Sequence, residues 1–311
     1  MLVTLIAAGA IWACNKEDTD DDPATPPTTP PNNTVFDAMI ADNIADETQT
    51  YTANNNWGGQ VVAAHGTELN FSPGAFVHGD GTPVNGLVDI SVVEALTVGK
   101  MIWFNKQTIG DDNGTLRMLR SGGALSITVS QGGEILTVTP GGLQVNVPTV
   151  VGDPSMALFN GTEQSDGKMI WTPVPTVPVT VVPAYIDQFY SFFPEDLTWI
   201  NCDYFYSYPD LTQITASVAE GENTDSTMVW LAFPSQNAVV QMPYLSGQDY
   251  TTPTSYSGVP VGVQAVVVGF RQSTGGYSSS FTTVTIAEGM NVPMTFSPTT
   301  LAQFEAALDA L

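Results

Sequence analysis

The sequence predicts an all-β protein: two β-sandwich domains in series, a short C-terminal helix and an extended N-terminal stalk. Three observations predict it. Short Thr/Val/Ile-rich runs recur from Thr50 onward, each bounded by Gly, Asn, Asp or Pro. The pairs Asp80-Gly81, Asn85-Gly86, Asn113-Gly114 and Gly132-Gly133 supply the positive-φ positions that tight reversals need. Hydrophobic residues make up 43% of the 311-residue chain, enough for real cores, while charged residues make up only 12%. That charged share is about half the ordinary ~25%.

Taken in order, Leu2–Ala13 is an apolar run too short for a membrane span, which needs ~20 residues. It fits the h-region of a secretory signal, residues 1–13, with a small residue placed before Cys14 for cleavage. Polar and acidic chain follows at once: Asn15-Lys16-Glu17-Asp18-Thr19, then Asp20-Asp21-Asp22. Cys14 with this tag resembles the start of a Bacteroidota-type surface lipoprotein. The resemblance implies lipidation at Cys14 and an export signal at Lys16, Glu17 and Asp18 that directs the chain to the cell-surface face of the outer membrane. A two-chain lipid anchor is sufficient for stable attachment.

Residues 14–34 continue as a Pro-Thr stalk, with Pro26-Pro27 and Pro30-Pro31 favouring solvated polyproline II. At ~3.1 Å per residue such a stalk reaches up to ~60 Å. Within residues 35–49, Phe36, Met39, Ile40 and Ile44 recur at helical spacing and predict a short helix.

Residues 50–184 form the first predicted sandwich. Its strands are expected at Gln49–Ala53, Gly59–Ala63, Thr67–Phe71, Leu87–Leu96, Met101–Asn105, Ala124–Ser130, Ile135–Val138 and Leu143–Val147. In the fourth, Val88, Ile90 and Val92 share one face and Asp89 and Ser91 the other. The stretch Gly58-Gly59-Gln60-Val61-Val62, then Gly66-Thr67-Glu68-Leu69 and Pro73-Gly74-Ala75, resembles the β-sandwich domain of ankyrins and netrin receptors over residues 50–150. That resemblance implies interaction rather than chemistry. Some relatives of that domain cut themselves at a His-Phe-Ser site. Here Asn70-Phe71-Ser72 and Ser280-Phe281-Thr282 lack the preceding His, which argues against autoproteolysis.

A second unit, residues 185–311, is expected after the Pro-punctuated segment Trp171–Pro183. Strands are predicted at Thr212–Val218, Thr227–Phe233, Val259–Phe270, Phe281–Ile286 and Asn291–Phe296, the third with a kink at Gly262. The series is similar to transthyretin-like and immunoglobulin-like sandwiches. Leu301, Phe304, Leu308 and Leu311 form one stripe and close the chain as a helix.

A net charge of −24, with seven Lys and Arg, leaves no basic patch to release phosphate counterions. Nucleic acid is excluded as a partner. With Cys14 lipidated, Cys202 has no intramolecular disulfide partner and reads as a buried thiol; the two histidines, His65 and His78, fall in the other unit.

Residues 185–208 carry many aromatics, and alternation puts Tyr204, Tyr206 and Tyr208 on one face. With Trp199 and Asp203 they are the candidate ligand platform. Trp57, Trp103, Trp171, Trp199 and Trp230 read first as core. Glu195, Asp196 and Asp203 are the carboxylates best placed for acid/base work, against a plain reading as loop acids. Asp111, Asp112 and Asn113 resemble part of a calcium loop but lack the later bidentate acid, so a hairpin turn explains them better. No metal site and no cofactor is expected. The sequence thus predicts a non-enzymatic, lipid-anchored surface protein that binds or scaffolds an unidentified protein or glycan. The alternative is a carbohydrate-binding accessory lipoprotein of a glycan-uptake system, and a glycan-cleaving reading ranks below both.

Overall fold

The computed structural model describes residues 34–149, 152–165, 167–183, 188–219, 226–247, 249–273 and 275–311. The predicted signal, Cys14, the tag at Lys16–Asp18 and nearly all of the stalk lie outside the described residues. The chain is all-β, with strands at 52% and helix at 11%. Among the described residues, no helix is long and apolar enough to cross a membrane.

A nine-stranded sheet organises the fold. Its main path runs Gln49–Asn54, Leu87–Ala95, Arg120–Gln131, Trp199–Tyr204, Ala157–Glu163, Met169–Pro173, Ile109–Asp112 and Thr115–Met118. The alternation in Leu87–Ala95 behaves as expected: Val88, Ile90 and Val92 point into a core with Leu125, Ile127 and Val129. Leu69, Phe71, Val145, Val147, Tyr190 and Phe192 close that core from a five-stranded partner sheet. Strand Gln188–Phe192 is an inner member of this partner sheet, and Trp199–Tyr204 is central in the large one. The boundary expected after residue 184 therefore falls between two neighbouring strands of one sheet. The Pro-punctuated segment Trp171–Pro183 completes the strand Met169–Pro173 and supplies the edge strand Thr180–Pro183, where a missing N–H is tolerated.

The remaining strands build a second pair of sheets. Five strands, Ala238–Gln241, Thr227–Phe233, Gln264–Ser273, Gly276–Thr285 and Ser297–Thr299, form the third sheet in that order. Val229, Leu231, Phe233, Ala265 and Val267 pack from it onto Ala216, Tyr250 and Val292 of a four-stranded sheet. Gly262, at φ 80°, separates the short strand Val259–Pro260 from Gln264–Ser273, at the kink the sequence places there.

The two sheet pairs are stacked face to face rather than strung along the chain. All seven residues of Thr227–Phe233 are buried, which requires cover on both faces. Met228, Trp230 and Ala232 turn away from the second core into a seam with Val93, Ala95, Phe159 and Trp171 of the large sheet. Hairpin residues Ile109 and Met118 of the large sheet even enter the second core.

Three helices fill the seam: α1 (Thr34–Asp46), α2 (Val98–Trp103) and α3 (Leu301–Asp309). The predicted strand Met101–Asn105 is instead mostly the end of α2. Thr97 caps its N-terminus through Lys100 N–H, and Val98, Met101 and Ile102 are spaced for one helical face. A continuous apolar run hides the helical period, because this short helix is buried nearly all round. Thr300 and Gln303 form a capping box on α3. Phe304 then stacks on Phe270 of the third sheet at 4.2 Å and touches Trp103 at 6.2 Å. Gly99 lets α2 approach α3, since a Cβ there would lie 2.3 Å from the Leu308 carbonyl oxygen. Lys100 ties α2 to α3 and to the residue that follows α1, bonding Glu305 at 2.8 Å and Glu47 at 2.7 Å.

Candidate functional site

The large-sheet strand Trp199–Tyr204 and the chain leaving it position the expected platform. Alternation holds beyond the end of the strand, so Tyr204, Tyr206 and Tyr208 form one ladder. Their ring centroids are 5.8 Å and 4.5 Å apart, and the planes are tilted by 59° and 51°. The rings thus pack on one another at a tilt instead of presenting a flat surface. Tyr206 remains 39% exposed. Tyr204 is fixed at one end by the Arg120 guanidinium, which donates to its hydroxyl at 3.2 Å. At the other end Tyr206 and Tyr208 line a cavity of about 120 Å³ with Arg117 and Gly258. Burial pushes the Tyr208 phenol up to about 12, and among the described residues its hydroxyl has no hydrogen-bond partner.

Asp203 is not part of that platform. It alternates with the tyrosines, faces the seam and is fully buried. The pairing with Arg120–Gln131 shifts register between Asn201 and Asp203, a β-bulge that brings Ser121 opposite Asp203. Ser121 Oγ donates to Asn201 Oδ1 at 3.1 Å, but neither Asp203 oxygen has a hydrogen-bond partner among the described residues. Desolvation drives the Asp203 carboxyl well above the usual range, against a weaker pull from the nearby Ser121 hydroxyl and Gly122 amide. Buried Cys202 points into the first core, and desolvation raises its thiol well above the ordinary value, so a nucleophilic thiolate is disfavoured there. Trp199 is half-buried, with the Lys106 ammonium 5.1 Å over its ring.

Asp111 and Asp112 end one strand of a hairpin, and Asn113 opens its two-residue turn. Asn113 and Gly114 both have positive φ, 55° and 89°, as a type I′ turn demands. Both aspartates are already engaged: Asp111 accepts the Gly114 N–H, and Asp112 accepts from Arg117 and from the Asn113 amide. Glu195 and Asp196 are exposed. Trp103, Trp171 and Trp230 are buried as expected, whereas Trp57, at the turn between the first two strands, is 78% exposed.

The chain matches no family model and no curated protein.

Two features were missed by sequence reasoning. Trp57 sits in Asn54-Asn55-Asn56-Trp57-Gly58, a polar, turn-forming context that could have marked it as exposed. Arg120 borders a larger cavity between the sheet pairs. No signal in the sequence marks that cavity, because its walls come from segments more than a hundred residues apart.

Proposed function

We propose that the chain is a lipid-anchored cell-surface protein whose stacked sheet pairs are two β-sandwich modules, displayed together for binding or scaffolding without chemistry of their own. The observation that carries this reading is the way the polypeptide enters the folded body. α1 is wedged in the seam by fully buried Phe36 and by Asn43, whose amide donates to the Trp103 carbonyl at 3.1 Å. A stalk over residues 14–33 would thus lead straight into the joint between the modules. The acid tag after Cys14, and the resemblance of residues 50–150 to ankyrin and netrin-receptor domains, support the same reading. Replacing Cys14 with Ala is expected to release the protein from the membrane fraction. Neutral substitutions from Lys16 to Asp22 are expected to protect it from protease on intact cells. Continued membrane attachment of C14A would refute the anchor.

The exposed rings of Tyr206 and Trp57 favour a second reading, in which the bound partner is a glycan and the protein assists its uptake. A glycan-cleaving role would rest on Glu195, Asp196 and Asp203. The first two are exposed and the third is sealed in the seam, which separates them by environment.

A further inference from the structure

A cavity of about 490 Å³ opens where the two sheet pairs meet. Ligand sites of roughly 300–1,000 Å³ occur preferentially at such joints. Most of its wall is apolar: Leu96 and Val98 lead into α2, Pro148 and Met156 come from the first sheet pair, and Pro234 from the turn after Thr227–Phe233. Among the polar residues that interrupt that wall, three carry the argument. Arg120 brings a guanidinium. Gln236 brings a side-chain oxygen that is buried and, among the described residues, has no hydrogen-bond partner. Asn237 spends its amide nitrogen on the Leu96 and Ser121 carbonyls, which fixes the turn carrying Gln236 against the large sheet.

Arg120 differs from the chain's other cations that have a described carboxylate partner. Lys100 bonds Glu47 and Glu305 at 2.7 and 2.8 Å, Lys106 bonds Glu163 at 3.1 Å, and Arg117 bonds Asp112. The carboxylate nearest Arg120, that of Asp153, lies 3.9 Å away, too far for a hydrogen bond. Asp153 directs its other oxygen to the Ser155 N–H at 2.9 Å. Among the described residues, the guanidinium's only hydrogen bond goes to neutral Tyr204. A guanidinium has five donors in a fork that suits a carboxylate, so Arg120 holds unspent capacity toward an anion.

We infer that this cavity binds a small carboxylate with an apolar body and an adjacent N–H, of the N-acyl amino acid type. The carboxylate pairs with Arg120, the N–H donates to Gln236 Oε1, and the apolar body lies against Leu96, Val98 and Met156. Unspent guanidinium donors beside a mostly apolar wall match a carboxylate on an otherwise apolar molecule. Both sheet pairs contribute walls, so the site exists only in the stacked arrangement. The inference does not depend on the lipid anchor.

The test titrates the full protein calorimetrically with N-acetyl-L-leucine and with its neutral amide. The acid is expected to bind at least tenfold more tightly than the amide. Inorganic phosphate, which shares the charge but has no apolar body, is expected not to compete at tenfold excess. Arg120→Gln should erase the acid-over-amide preference. Ser235→Trp, at an exposed position on the cavity rim, should abolish binding of both while leaving the thermal melt unchanged. Equal binding of acid and amide, no saturable binding of the acid, or full binding by S235W would overturn the inference. If R120Q fails to fold, the acid-to-amide ratio of the unmodified protein and the S235W result decide it.

Discussion

Two buried polar clusters sit in the same seam and behave oppositely. The segment Asn105–Thr108 crosses between the sheet pairs with its groups satisfied. Gln107 donates to the Met169 carbonyl at 3.1 Å and to the Tyr256 hydroxyl at 3.0 Å, and its side-chain oxygen accepts the Gln241 N–H at 3.2 Å. Its backbone carbonyl takes the Trp171 indole N–H at 2.6 Å. Thr108 exchanges bonds with Val239, and Asn105 accepts from Trp230. Across the seam, Ser121, Asn201 and Asp203 share one bond. Asn201 Nδ2 and both Asp203 oxygens stay without partners among the described residues. A satisfied network fixes one register between layers, whereas an unsatisfied one lowers stability. The first cluster is a weld; the second is a reserve of unspent polarity beside Ser121, which lines the large cavity.

The comparison breaks most visibly at Gln107. Replacing it with Leu removes the side chain that spans both sheet pairs and leaves the Tyr256 hydroxyl, the Gln241 N–H and the Met169 carbonyl short of a partner. Each buried group left unsatisfied costs about 1–3 kcal/mol. Tyr256 has further contacts, so a total loss of about 3 kcal/mol is expected, read as a lower urea midpoint at unchanged slope. A loss under about 1 kcal/mol would mean that the weld is not where the layers are held.

Neither cluster could be read from the sequence, and the reason is the same for both. Residues such as Gln107, Asn201 and Gln241 carry no periodic signal, and their partners lie far along the chain. What was legible followed local patterning. Thr227–Phe233 was bounded correctly because its apolar run, Met228 to Phe233, has the length of a strand covered on both faces and is set off by polar chain before it and Pro234 after it. The tyrosine ladder was legible because alternation alone dictates it. The position of residues 185–208 was not. Aromatic density there suggested a new unit, yet Tyr190 and Phe192 complete the core begun by Leu69 and Val88. Pairing across a sheet is non-local, so proline content near Pro173–Pro183 looked like a boundary when it marked an edge strand.

Asp203→Asn probes the second cluster and should act in the opposite direction to Gln107→Leu. Burial raises the Asp203 carboxyl above its unfolded value, so the folded state binds the proton more tightly than the unfolded chain does. Stability contributed by that difference is present at low pH and falls as pH rises above the unfolded carboxylate range, until the folded group itself ionises. Asn cannot ionise, so D203N removes this decline. The variant is expected to be more stable than the parent at pH 8, with the gain shrinking to near zero below pH ~3.5. Denaturation midpoints across that range check it. A gain independent of pH would assign the effect to packing or amide bonding instead.

The smallest effect on stability, and the sharpest on function, is expected at Tyr206. Its ring is 39% exposed and packs on Tyr204 and Tyr208 at tilted angles, so Tyr206→Ala removes the middle of the ladder without opening a core. Surface substitutions of this kind usually change stability by no more than about 0.5 kcal/mol; the ring contacts with two neighbours place Y206A near or slightly above that limit. Under the glycan reading, Y206A should lose retention on a polysaccharide column while keeping the melting curve of the parent. Trp57→Ala provides the internal comparison, because Trp57 is more exposed yet stands at a turn in the first sheet pair, away from the ladder. If Y206A abolishes retention and W57A does not, the contact lies along the tyrosine ladder. If only W57A matters, the glycan meets the turn after the first strand and the ladder is packing alone. If both variants are retained like the parent, the glycan reading falls and the surface-display reading stands without it.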